Sequence, residues 1–523
     1  MKKLKREEIK RELEKPNGSA LLAVDPSIDK LSLLAETSAM FVEEGVGSSL
    51  LVRLAKSRAL LLKMSVDPKL MAAIRASVGD DGTFPKLRRN AARLLGSLSR
   101  SPEDADLLIE RLEKEETRFV RPSLLLALGS VGGERAEAAL AAYVPAEPAN
   151  ETEKKHFEEE IEALKQARAA CMKHEKHAFT RLDKPYEIEL AAPDRLTMQL
   201  SQELGRLGIE AYDIRRSSLK VRTADYPALF GARCFTEALF VVGTAKKATP
   251  EAAAELFGPF AAPFMAKVHE GEPPFRYRIE IEGDIPGERT AFKKTLRDLL
   301  DGKGLVNAPS DYECELRIVS AEGGARLYLK LLTVKDERFL YRKETIPASM
   351  NPSTAAAVLR FAGDHLKVNA RVIDPCCGSG TLLFERGLMS PCESLTGVDI
   401  AHKAIDAART NAEAAVRHYN MKQAKFIVND ILRFEVKRPY DELICNLPFG
   451  NRVGTHSGCE KLYAGLLDKL PTLLKKGGIA LLYTMEFTLL KKLIRERKYL
   501  EILSQERTEA GGLTPMVFII KVN

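Results

Sequence analysis

The stretch Asp374-Pro375-Cys376-Cys377-Gly378-Ser379-Gly380-Thr381 follows the apolar pair Val372-Ile373 and opens into a helical run. A short apolar run, a glycine-bearing turn and a helix make one strand–loop–helix unit. The alternation repeats downstream. Leu395-Thr396-Gly397-Val398, Phe426-Ile427-Val428, Leu443-Ile444-Cys445 and Ile479-Ala480-Leu481-Leu482-Tyr483 are short apolar runs separated by helical segments. Such runs predict a parallel sheet buried on both faces. Residues 499–503 and 516–520 then predict a closing β-hairpin. The block 351–523 is therefore read as a doubly wound, Rossmann-like α/β fold, with seven strands in its sheet.

In such folds a ligand sits beyond the carboxyl ends of the strands, where the 374–381 loop lies. Gly378 and Gly380 let backbone approach a ligand closely. A dinucleotide cradle would need a third glycine at position 383, which is Leu383. The expected ligand is smaller and lacks a diphosphate. Asp399 ends the next strand, 25 residues after Asp374, a distance that suits an acid holding two ribose hydroxyls. Asp430 ends the third strand. Any one of these acids is as readily a helix cap. Three at successive strand ends, beside a Gly-Ser-Gly loop, point to a shared ligand.

The fourth strand ends in Asn446-Leu447-Pro448-Phe449-Gly450. With the loop upstream, this tetrad resembles that of class I S-adenosylmethionine-dependent methyltransferases acting on exocyclic amino groups. The resemblance implies that Asp374, Pro375, Gly378, Gly380 and Thr381 hold the amino-acid part of S-adenosylmethionine. Asp399 would hold its ribose and Asp430 its adenine amine, with Ile400 and Ile431 as further cofactor contacts. Asn446, Leu447, Pro448 and Phe449 would be catalytic. An aryl amine is a poor nucleophile because its lone pair is delocalised into the ring. The Asn446 amide oxygen and the Leu447 carbonyl can accept its two N–H bonds and turn the lone pair toward the methyl group. Pro448 fixes the backbone that presents them, and Phe449 offers a face to a base taken out of its helix. The family often has proline where Leu447 stands, but only the carbonyl of that residue is needed.

The tetrad alone leaves adenine N6, guanine N2 and a protein amide open. Residues 183–350 resemble a THUMP RNA-binding domain (271–350) preceded by its ferredoxin-like partner (183–270). The resemblance is carried by Leu305-Val306-Asn307-Ala308-Pro309-Ser310-Asp311-Tyr312-Glu313 and by the stretch from Tyr341-Arg342-Lys343-Glu344 to Met350-Asn351-Pro352. The run Asn446 to Thr455 followed by Glu460-Lys461-Leu462-Tyr463 is similar to THUMP-linked guanosine-N2 methyltransferases. This resemblance spans 183–523. It implies methyl transfer to guanosine N2 in RNA, with the acceptor stem of a tRNA as the expected substrate. The alternatives are 23S ribosomal RNA as substrate, adenine N6 or a protein amide as acceptor, and a non-catalytic RNA-binding assembly factor. Basic residues interleave with aromatics in Arg276-Tyr277-Arg278 and in Arg338-Phe339-Leu340-Tyr341-Arg342-Lys343. Phosphate contact with base stacking uses these types, so Arg338, Tyr341, Arg342 and Lys343 are expected RNA contacts. Arg452 is expected to hold a phosphate beside the target base, with a structural ion pair as the competing reading.

The first 178 residues read as all-α. The segment from Leu87-Arg88 to Leu95-Gly96-Ser97-Leu98 recurs 33 residues later from Val120-Arg121 to Leu128-Gly129-Ser130-Val131. A glycine-terminated helical period of this size looks like a HEAT-type repeat, a surface that can also serve a protein partner. Cys171-x-x-His174-x-x-His177 offers metal-ligand types, but three ligands on one short helix do not close a tetrahedral site, so no metal is expected. Over the whole chain, 523 residues with 45% hydrophobic and 29% charged composition describe an ordinary globular protein of several domains. Eight cysteines without a C-x-x-C pair suit reduced thiols in the cytoplasm. The charged start, Met1-Lys2-Lys3-Leu4-Lys5-Arg6, lacks the apolar core of a signal peptide, and no stretch suits a membrane span. The net charge of +7 is mild, so any nucleic-acid grip must be local.

Overall fold

The computed structural model describes residues 2–148, 150–171, 177–308, 311–321, 324–347, 349–449, 456–509 and 512–523. The chain divides into two compact units. One comprises Met1–His177 with Gly271–Ile279 and Leu300–Glu313; the other comprises Ala178–Glu270, Glu280–Leu299 and Cys314–Asn523.

The first unit is built from helices, from Arg6–Leu13 to Glu151–Cys171. Their ends follow local chemistry. The Asp67 carboxylate accepts from the backbone N–H groups of Lys69 and Leu70 at 3.1 Å, with Pro68 at the first helical position. Helices Pro85–Leu98, Arg121–Val131 and Glu151–Cys171 stack in succession. The 33-residue echo has a physical cause. A Cβ on Gly96 would lie 2.6 Å from the Ala127 Cα, and one on Gly129 would lie 2.5 Å from the Ala167 Cα. Each glycine lets the next helix approach to backbone contact. Inside the stack, Arg88 makes a two-pronged pair with Glu115 at 2.7 and 3.0 Å, both side chains being buried. The unit also holds a short parallel pairing in which Phe275 faces Leu305 and Tyr277 faces Asn307.

The second unit contains two sheet systems. In the first, strands Ala211–Tyr212, Ser218–Thr223, Tyr186–Ala191, Glu237–Ala245, Gly324–Leu331 and Cys314–Ala321 lie side by side in that order, each antiparallel to its neighbour. The strand Glu237–Ala245 and the helix Pro250–Val268 escaped the sequence reading. The helix holds Pro259 and Pro263 in its interior, where proline ordinarily ends a helical pattern.

In the second system the order is Lys425–Val428, Cys392–Asp399, Ala370–Asp374, Tyr440–Asn446, Leu474–Thr484, Met516–Val522, Leu500–Arg507. All pairings are parallel except those of Met516–Val522, which runs against both neighbours. This is the α/β sheet with a closing hairpin expected from the apolar runs. The strand ending in Asp374 lies between those ending in Asp399 and Asn446, where the strand order reverses. That crevice is the standard ligand position of a doubly wound sheet. Among the described residues, no helix is long and apolar enough to cross a membrane.

Candidate active site

The loop after Ala370–Asp374 is shaped by its glycines. Gly378 has φ +53° and Gly380 φ +86°, and a Cβ on Gly380 would come within 2.7 Å of the Phe384 ring. Only glycine meets both demands at position 380. The Asp399 carboxylate accepts from the Gly378 N–H at 2.9 Å and, through its other oxygen, from the Ala401 N–H at 2.9 Å. Asp399 thus ties the second strand to the loop, and a carboxylate retains further acceptor sites for hydroxyls. Ile400 beside it is 73% exposed, an apolar face at a strand tip available to a flat ring. Asp430 caps its own turn, accepting from the Leu432 N–H at 2.9 Å. Ile431 is packed in the core cluster.

Asp374 is fully buried. Burial above all, with Asp399 adding repulsion, pushes its carboxyl up to about 8, against the pull of the Cys376 N–H, which donates to it at 3.1 Å. A buried acid held up in this way is poised to meet a cationic ligand.

The fourth strand delivers the tetrad. Asn446 pairs in register with Tyr483, and the Leu447 N–H donates to the Tyr483 carbonyl at 2.9 Å. The Pro448 carbonyl accepts from the Tyr463 hydroxyl at 2.7 Å, and that hydroxyl also meets Thr484 Oγ1 at 2.6 Å. Phe449 is half-buried with its ring 6.3 Å from that of Tyr483. Three buried polar atoms around this edge have no hydrogen-bond partner among the described residues: Asn446 Oδ1, Thr381 Oγ1 and Tyr483 Oη. Unpaired buried polar groups are costly and point to a missing partner. These orphaned atoms, the glycine cradle, the raised acid and the bare Ile400 together fit a ligand with a cation, hydroxyls and a flat ring. S-adenosylmethionine has all three.

The structure corrects two expected RNA contacts. Arg338 is 4% exposed, and its guanidinium donates to Asp336 and to the carbonyls of Ala232 and Phe235. Tyr341 is fully buried and its hydroxyl donates to Glu385 at 2.7 Å, an acid also held by Arg233 at 2.7 and 2.9 Å. Tyr341 fastens the 336–344 segment to the helix Thr381–Met389, and Arg338 fastens it to the loop that precedes Glu237–Ala245, so both side chains are already engaged. Their cation–aromatic pattern is packing: the Arg338 guanidinium lies 3.6 Å from the Phe235 ring centroid. Arg342 is half-buried and Lys343 is exposed. Arg452 and Gly450 lie outside the described residues. Arg276 is likewise buried against Asp311 at 3.0 Å. His177 has both ring nitrogens engaged, by Glu313 at 2.6 Å and the Glu272 carbonyl at 2.9 Å, while His174 lies outside the described residues.

Two positioning groups escaped the sequence reading. The Asn411 side chain donates to the carbonyls of Ser379 and Glu344 and accepts from the N–H groups of Lys343 and Glu344. It clamps the glycine loop to the incoming chain. Its trace in the sequence is a lone amide on the alanine-rich face of His402–Tyr419. Tyr463 stands in the sequence only as part of a motif, without a task of its own.

Residues 340–514 match a family described as RMKL-like, methyltransferase domain. The chain is 30% identical over 152 residues to a tRNA (guanine(10)-N2)-dimethyltransferase of Methanothermobacter thermautotrophicus, covering 29% of this chain and 43% of that relative. It is 26% identical over 321 residues to a tRNA (guanine(6)-N2)-methyltransferase of Thermus thermophilus, covering 61% of this chain and 89% of the relative. The fold is similar to the crystal structure of TrmN from Thermus thermophilus, at TM-score 0.52 and 22% identity, over 64% of this chain and 99% of that one. The chain thus spans less than half of the first of these relatives and most of the second.

Proposed function

We propose that this protein transfers a methyl group from S-adenosylmethionine to the exocyclic N2 of a guanosine in tRNA, within the acceptor stem. The observation that carries the reading is the buried, unpartnered Asn446 Oδ1 at the strand end beside the glycine loop. An amide oxygen kept without a partner inside a protein is a site waiting for a donor, and an exocyclic amine supplies one. The named relatives that share the domain support guanine N2 and tRNA.

S-adenosylmethionine supplies an electrophilic methyl group on a sulfonium. The chain's residues supply position. Asn446 Oδ1 and the Leu447 carbonyl accept the two N–H bonds of the amine and orient its lone pair. Tyr463 and Thr484 hold the Pro448 peptide that follows. Phe449 stacks the base. Asp374 holds the ammonium of the amino-acid part, Asp399 the ribose hydroxyls and Asp430 the adenine amine. Because the leaving group is already good, orientation provides most of the rate. Residues 183–350 act as the THUMP-type RNA grip, with Lys343 and Arg452 as phosphate contacts, and the protein works in the cytoplasm.

Asn446→Ala tests this. Single-turnover transfer to tRNA is expected to fall by at least a hundredfold while S-adenosylmethionine affinity by calorimetry stays within twofold. Unchanged transfer in that variant would remove the tetrad from the chemistry.

A further inference from the structure

The helical unit carries a groove that the methyltransferase reading leaves unused. It has a volume of about 560 Å³ and lies along helices Pro85–Leu98, Arg121–Val131 and Glu151–Cys171. One wall is cationic. Lys86, Arg89 and Arg93 stand at positions i, i+3 and i+7 of Pro85–Leu98, on one face of the helix. Other arginines along this stack are matched with acids. Arg75 pairs with Asp104, Arg88 with Glu115, Arg111 with Asp81, Arg118 with Glu160 and Arg135 with Asp106. Among the described residues none of the three groove cations closes an ion pair of this kind, and the acid that acts on Arg93 is Glu159 of the opposite wall. Arg89 Nε is buried and lacks a hydrogen-bond partner among the described residues, and Arg93 donates to the Ser123 hydroxyl at 3.1 Å.

Between the walls stands an aromatic. Phe119 is half-buried, with the Arg89 guanidinium 5.7 Å from its centroid and the His156 ring at 6.2 Å. The opposite wall is acidic and amide-bearing. Glu159 meets His156 at 3.1 Å and Glu162 accepts from Gln166 at 2.6 Å.

We propose that this groove binds a single-stranded segment of RNA, the cations meeting its phosphates, Phe119 a base face, and Glu159 and Glu162 the amino groups of base edges. The combination decides between ligands. An acidic peptide would satisfy the cations but be repelled by the two glutamates. A nucleotide carries both the anion and the amino donors that the two walls ask for. The site does not depend on the transfer reaction assigned above.

The test uses the full-length protein and a fluorescein-labelled single-stranded 12-nucleotide RNA of mixed sequence, read by anisotropy. Reversing the wall with Lys86→Glu, Arg89→Glu and Arg93→Glu is expected to weaken binding at least tenfold. The salt dependence of log K should flatten by about 0.7 for each phosphate left without its cation. The milder pair Lys86→Gln and Arg93→Gln, both at exposed positions, keeps the test valid if the triple change unfolds the unit; it should weaken binding severalfold with an unchanged melting curve. Affinity for S-adenosylmethionine, read by calorimetry, should stay at its wild-type value in both groove variants, which separates failure here from failure of the transfer mechanism. Unchanged RNA affinity and salt slope in both groove variants would overturn the proposal. So would displacement of the RNA by poly-glutamate at equal charge concentration, which would mark an acidic-peptide site.

Discussion

The Tyr463 hydroxyl lies 2.7 Å from the Pro448 carbonyl, which joins the helix after the fourth strand to the middle of the tetrad. The same hydroxyl meets Thr484 Oγ1 at 2.6 Å, and that oxygen accepts from the Glu486 N–H at 2.9 Å. Two strand ends and a helix are thereby locked around one peptide. Geometry of this kind matters because a small misplacement of the amine's acceptors costs orders of magnitude in rate. Tyr463→Phe is expected to lower kcat ten- to a hundredfold with little change in KM for RNA. The stability cost should be about 1 kcal/mol, since Cys459 Sγ still approaches the freed carbonyl, at 3.4 Å. Steady-state kinetics with a denaturant melt reads both.

With Asp374 as the proposed partner of the ammonium, cofactor affinity is expected to depend on pH. In the free protein its carboxyl is held up to about 8, by burial first and Asp399 after it. A cation bound beside it favours the carboxylate, so binding releases a proton. Affinity for S-adenosylmethionine should therefore rise from pH 6.0 to 7.5, by up to tenfold per unit. Calorimetry in buffers of different ionisation enthalpy measures the proton release directly. Asp374→Asn should flatten the profile and weaken binding throughout.

Arg338 should behave as a structural residue. Its guanidinium is saturated by Asp336 and by two carbonyls in a buried setting. Arg338→Ala is expected to cost about 2–3 kcal/mol of stability. The salt slope of RNA binding should stay at its wild-type value, because Arg338 neutralises no phosphate.

Gly129 should be intolerant of any side chain. A Cβ there meets the Ala167 backbone at 2.5 Å, and backbone cannot swing aside as a side chain can. Gly129→Ala is expected to destabilise the helical unit by about 1–3 kcal/mol. Affinity for S-adenosylmethionine should be unaffected, so calorimetric melting and cofactor titration together localise the damage.

Periodicity made the α/β sheet legible. Its strands are largely buried, and short apolar runs between helices admit little else. The edge that gathers Gly378, Gly380, Asp399 and Asn446 was legible for a related reason: each lies at or shortly after the carboxyl end of a strand, where the apolar run stops. The 336–344 segment was misread because Arg and Tyr suit two tasks equally. Composition shows a cation beside an aromatic, and only the fold shows that Glu385 and Asp336 have already claimed them. Asn411 was hidden by the same limit, since its four hydrogen bonds run to residues at least 32 positions away. The glycine echo in the helices was visible as a pattern, but its cause needed the neighbouring Ala127 and Ala167 backbones.

Guanine N2, presented to Asn446, is the proposed methyl acceptor. The most direct test incubates the purified protein with deuteromethyl-labelled S-adenosylmethionine and separate pools of unmodified tRNA and ribosomal RNA, then digests each pool for nucleoside mass spectrometry. Labelled N2-methylguanosine is expected in the tRNA pool and is expected to be absent with Asn446→Ala. Label in N6-methyladenosine, or in ribosomal RNA alone, would contradict it.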